Sequence, residues 1–155
     1  MKKSALFAVL AAFAVVVSLQ SCKDDEEAKQ EFVADDSSFS NFMSWKPEAT
    51  NQGPDPALGS AHAGNDETVT LMIYYKNGQN PANGEFPVGT IIVKHSKNPD
   101  LSVNEFTAMV KRGNDFNPTG GEWEWFMLNA NANGSIATDA ASGMKMRGRT
   151  KNVIS

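Results

Sequence analysis

The chain has 155 residues, 41% hydrophobic, 21% charged and 9% aromatic, with a formal net charge of -4 and a single cysteine. That is material for one domain, too apolar for a disordered chain and too acidic for a protein built to grip phosphate backbones, so nucleic acid is not an expected partner. One cysteine excludes an internal disulfide framework and a structural zinc site made of several thiolates, which leaves burial to hold the fold.

Lys2 and Lys3 precede an unbroken apolar run from Ala5 to Val17, shorter than the roughly 20 residues a spanning helix needs and right for a signal-peptide core. The run ends in Leu19-Gln20-Ser21-Cys22, which resembles the lipobox cut by bacterial lipoprotein signal peptidase. Residues 1–21 are therefore expected to be removed, with Cys22 acylated and holding the protein on a lipid bilayer. Each buried methylene of an acyl chain contributes about 0.8 kcal/mol, so several chains anchor a domain almost permanently. Lys23-Asp24-Asp25-Glu26-Glu27 follows and looks like the short signal beside the lipidated cysteine of surface-exposed Bacteroidota lipoproteins. A plain acidic spacer reads the same way. The expected location is the outer membrane, on the cell surface or the periplasmic side. Losing residues 1–21 removes two of 14 basic side chains and none of 18 acidic ones, leaving a net charge of -6.

Residues 22–36 read as an acidic tether, and the domain proper as 37–155. Asp36 or Ser37 is placed to cap a short helix in which Phe39, Phe42 and Met43 form an apolar stripe, and Pro47 ends it. From Glu48 to Asp66 the pattern is that of a long loop. Strands are expected over Val69–Tyr75, Gly89–Ser96, Phe106–Arg112 and Trp123–Asn129, with a shorter one over Ser135–Thr138 after the Asn133-Gly134 turn signal. Alternation puts Ile91, Val93 and His95 on one face of the second strand, with Ile92, Lys94 and Ser96 on the other. In the fourth strand it sets Trp123, Trp125 and Met127 against Glu124, Phe126 and Leu128. Four or five strands without long intervening helices predict an α+β, mainly β fold: an antiparallel sheet with flanking short helices.

Several blocks in order, Ala61-His62-Ala63-Gly64, Ile73-Tyr74-Tyr75-Lys76-Asn77, Phe86-Pro87-Val88-Gly89-Thr90-Ile91-Ile92-Val93-Lys94, Phe106 to Gly113, Phe116-Asn117-Pro118 and Glu122 to Leu128, resemble the cytochrome P-460 family. The resemblance runs from about Phe39 to Gly148. It implies a secreted, mainly antiparallel β domain carrying one c-type haem. Some members oxidise hydroxylamine and carry a lysine cross-linked to the porphyrin; the related β-sheet cytochromes c-prime bind small gases such as nitric oxide. Family members attach haem through Cys-x-x-Cys-His near the C-terminus, where two thioethers hold the vinyl groups and the histidine ligates the iron.

After Met144-Lys145-Met146-Arg147-Gly148 this sequence reads Arg149-Thr150-Lys151-Asn152-Val153-Ile154-Ser155, and Cys-x-x-Cys-His occurs nowhere in it. The expectation is a C-terminally incomplete P-460-like domain without covalently bound haem, whose family role in hydroxylamine or nitrogen-oxide chemistry is lost with the motif. No cofactor is expected for the chain as written. His62 and His95 are the candidate iron ligands for a non-covalent haem, and Lys94, on the strand that resembles the family's Gly-Thr block, is the candidate for the cross-linking lysine, although a solvated strand face explains it as well. Trp123 and Trp125, with Phe106 and Met109 as further wall, would line a pocket; core packing explains the same tryptophans. The rival reading is a non-haem surface lipoprotein that binds a small apolar ligand or a glycan.

Other chemistry finds no carrier. Asn129, Asn131, Asn133 and Gly134 mimic the start of a calcium loop, but all three ligand positions are neutral and Ala140 stands where a bidentate carboxylate belongs. Phosphate-binding glycine loops, nucleophile elbows and His-Glu-x-x-His are absent from the sequence.

Overall fold

The computed structural model describes residues 29–53, 67–76, 81, 83–129 and 134–149. These form one six-stranded antiparallel sheet whose spatial order follows the chain: β1 (Pro47–Gln52), β2 (Thr70–Tyr75), β3 (Ile91–Lys97), β4 (Asn104–Lys111), β5 (Trp123–Leu128) and β6 (Arg147–Gly148). Every neighbour in the sheet is a neighbour in sequence, so the fold is an open meander, α+β in class and mainly β, with only short 3-10 turns beside it among the described residues.

Four expectations are corrected at the N-terminal end. Phe39, Phe42 and Met43 do not share one helix: two 3-10 turns, Asp36–Phe39 and Phe42–Ser44, stand there, separated by Asn41 in the left-handed region at φ 56°. Asp35, not Asp36 or Ser37, caps the first, its carboxylate accepting from the Ser38 amide while the Ser38 hydroxyl accepts from the Asp35 amide. The start of the expected loop is β1, whose six residues are all exposed. A polar strand at a sheet edge carries no apolar alternation, and its polarity protects that edge from pairing with another chain. The stretch read as tether also reaches into the domain. Phe32 donates its amide to the Arg112 carbonyl at 2.9 Å, and Ala34 is buried.

Registers sort the side chains into two faces. On face A lie Tyr74, Val93, Ala108 and Phe126 in one row and Met72, His95, Phe106 and Leu128 in the next. The turns lay Phe39 and Phe42 over these rows, both fully buried, with ring centroids 5.1 Å from Phe126 and 5.2 Å from Phe106 respectively. The close approach sets a demand on Gly134, at φ +66°: a Cβ there would sit 2.3 Å from the Phe39 carbonyl oxygen and 2.7 Å from the Phe42 ring. Ser135–Thr138, expected as a strand, contributes isolated bridges, Ile136 to Leu128 and Thr138 to Lys145.

Glu124 is also on face A and only 2% exposed. Arg147 meets it in a two-pronged pair, Nε to Oε1 at 2.7 Å and Nη2 to Oε2 at 2.9 Å, while Arg112 Nη1 approaches Oε2 at 3.2 Å. Arg147 also donates to the Ala34 carbonyl at 2.8 Å, and Arg112 to Glu31 at 2.9 Å. One buried carboxylate thereby ties the N-terminal segment, β5 and β6 together.

Candidate functional site

Face B is built by the alternate residues of the same strands. One row reads Tyr75, Ile92, Met109, Trp125; the next reads Ile73, Lys94, Thr107, Met127; Trp123 stands opposite Lys111 beside them. With strands about 4.8 Å apart, a row of four spans roughly 14 Å. All these residues are half-buried. Phe86 joins them, its ring stacked on Tyr75 at 5.9 Å and meeting Trp123 edge-on at 5.6 Å. The result is a broad apolar floor with one amine near its middle.

Of the residues singled out from sequence, the structure brings Lys94, Met109, Trp123 and Trp125 together on face B. It separates Phe106 and His95 from them. Phe106 is 3% exposed in the core, stacked on the His95 ring at 4.1 Å, on the opposite side of the sheet. The tryptophans do not fill the core, which takes the Glu124, Phe126 and Leu128 side of β5 instead. Cys22 and His62 lie outside the described residues, as do Asn131 and Asn133 of the calcium-like spacing.

Lys94 combines two properties. Burial among apolar neighbours pulls its ammonium pKa below the ordinary lysine value, and attraction to Glu105 opposes this more weakly. Among the described residues its ammonium has neither a hydrogen-bond acceptor nor an ion-pair partner. Lys111, the other cation of this face, is satisfied: its Nζ donates to the Gly121 carbonyl at 2.8 Å and lies 5.7 Å from the centre of the Trp123 ring.

His95 is held differently. Its Nε2 is 2.8 Å from the Asn104 Oδ1 and so carries the proton, which leaves Nδ1 a buried lone pair without a partner. Burial pushes its pKa down, the bond to Asn104 works upward and repulsion from Lys97 works downward.

The fit to a c-type haem can be tested on these residues. Face B is wide and apolar enough for a flat macrocycle, but among the described residues it carries neither a thiol to form a thioether with a vinyl group nor an imidazole for iron, since His95 belongs to the core. Among the described residues no three His, Cys, Asp or Glu side chains are grouped to hold a metal ion, and no helix is long and apolar enough to cross a membrane. The described residues do not fit covalent haem attachment.

The fold and this face together define a meander β domain with an aromatic core on one side and a lysine-centred apolar floor on the other. No protein-family model matches the chain, and neither a curated protein nor a solved structure matches it.

Proposed function

We propose that the chain is a lipoprotein, anchored to the outer membrane through acylated Cys22, whose cytochrome P-460-like β domain binds a flat apolar ligand on face B without a covalently attached haem. The observation that carries the reading is the convergence of Lys94, Met109, Trp123 and Trp125 on one half-buried surface. Aromatic and aliphatic side chains around a single polar group are the ordinary make-up of a small-molecule site. The lipobox-like Leu19-Gln20-Ser21-Cys22 supports the anchor. The hydroxylamine or nitrogen-oxide role of the haem-bearing proteins it resembles requires the iron.

The test uses the chain from residue 22 as the soluble Cys22→Ser form. The neutral fluorophore 1-aminoanthracene should bind it saturably and quench the tryptophans, and Trp125→Asp should abolish binding while leaving the circular dichroism spectrum unchanged. Absence of saturable binding by the parent overturns the ligand site. Expression beside a c-type maturation system should yield no Soret band that survives acid-acetone extraction; a surviving band overturns the non-covalent reading. The anchor is checked by labelled palmitate, which should enter the native chain and be lost with Cys22→Ser.

A further inference from the structure

Resting on the reading that face B holds an apolar ligand, we infer that the ligand is an amphipathic carboxylate, a hydrocarbon body on the floor of Ile92, Met109, Trp125 and Met127 with its carboxylate on the Lys94 ammonium. The argument is one of charge complementarity. Lys94 is flanked by Ile73 on β2 and Thr107 on β4, and the adjoining row is Tyr75, Ile92, Met109 and Trp125. A cation so placed is half-buried with its ammonium still touching water, and a ligand that covers it is tolerable only when it pairs the charge.

Among the described residues, the charged groups around it leave this cation without an ion-pair partner. Glu105, also on β4, attracts it but makes no ion pair with it. Lys111 is already bound to the Gly121 carbonyl and the Trp123 ring, and the Ser96 hydroxyl beside Lys94 on β3 carries no charge. An anion with an apolar body supplies at once the counter-charge for Lys94 and the cover for the floor. A neutral ligand covers the floor only by pressing an unpaired ammonium further from water.

The experiment displaces bound 1-aminoanthracene from the soluble Cys22→Ser chain with dodecanoate or dodecanol, which share a hydrocarbon chain and differ in charge. A charge-assisted hydrogen bond in a partly dehydrated site predicts that dodecanoate displaces about tenfold more effectively, or better. In Lys94→Met that preference should collapse to within about twofold, in Lys94→Arg it should persist, and in Lys46→Met, at an exposed lysine outside the face B rows, it should be unchanged. Circular dichroism of each variant controls for folding, and the comparison of the two ligands in the parent stands without any variant. Equal displacement by acid and alcohol in the parent, with the fluorophore bound, overturns the carboxylate inference and leaves the apolar site standing. A preference that survives Lys94→Met overturns the role of Lys94. Failure of the fluorophore to bind the parent overturns the site and this inference with it.

Discussion

The Glu124–Arg147 pair offers an asymmetry that a simple count of salt bridges would miss. Glu124 is 2% exposed whereas the Arg147 side chain is 25% exposed and that of Arg112 is 21% exposed. Removing one partner of a buried ion pair costs about 3–5 kcal/mol, chiefly because the other charge is left uncompensated. Arg147→Met strands the buried carboxylate with Arg112 alone, at 3.2 Å, and frees the Ala34 carbonyl. It should cost the upper part of that range, about 4 kcal/mol. Glu124→Gln strands guanidiniums that reach water at the rim, and Arg112 keeps Glu31, so its cost should be nearer 2 kcal/mol. Replacing both, as Glu124→Leu with Arg147→Met, removes both charges and should recover much of the loss.

Urea unfolding followed by tryptophan fluorescence reads all three. With a slope of about 1–3 kcal/mol per molar urea, the two single variants should differ in midpoint by roughly 1 M. The coupling energy from the full cycle, Glu124→Leu included as a single, should be well above 1 kcal/mol. If Glu124→Gln destabilises more than Arg147→Met, or the double variant costs the sum of its singles, the clasp does not work through the buried carboxylate.

Three further outcomes follow from the core side of the sheet. Gly134→Ala places a Cβ into the Phe39 carbonyl at a left-handed backbone position and should cost about 2–4 kcal/mol by the same denaturation assay; a loss under 0.5 kcal/mol would show that the turns do not seat on residue 134. Phe42→Ala, at a fully buried ring, should cost about 3–5 kcal/mol, whereas Met43→Ala, at a side chain 48% exposed, should stay within about 0.5 kcal/mol. Comparable losses would favour one amphipathic helix over the two turns. For His95 the folded imidazole titrates below its ordinary 6.5 because it is buried, so below about pH 6.5 the unfolded chain binds the extra proton first and stability falls, levelling off once the folded imidazole titrates. His95→Phe should flatten that part of the pH profile and leave the slope above pH 7 alone; parallel profiles for the two proteins would refute the burial argument.

The strands that position the site are legible in the sequence wherever one face is apolar. Ile91, Val93 and His95 against Ile92 and Lys94 sort as their alternation predicts. The side of β5 that faces inward is less readable, because Glu124 carries a charge and Trp123 and Trp125 look like core. The charge is accepted inside because Arg112 and Arg147, 12 and 23 residues away, converge on it. No local pattern announces that convergence. β1 escapes for the opposite reason: Pro47-Glu48-Ala49-Thr50-Asn51-Gln52 has no apolar face to alternate, and only the backbone ladder to Thr70–Tyr74 makes it a strand. The stripe of Phe39, Phe42 and Met43 satisfies helical spacing, yet Ser40-Asn41 breaks it and only the two phenylalanines are buried.

The two faces of the sheet solve the same physical problem differently. Face A meets the need for cover with residues of its own chain, two aromatic turns and the Glu124 clasp, and its charges are paired. Face B is nearly as apolar along its rows, but a second core would be a poor description of it. A core that enclosed Lys94 without an anion would pay the full cost of dehydrating an ammonium, and a better-adapted core would hold leucine or methionine there. The amine is useful only if something anionic comes to it or if water keeps reaching it. On the proposed reading this half-buried apolar surface takes an exchangeable occupant, and substituting Lys94 should alter which molecules bind there more than it alters the stability of the sheet.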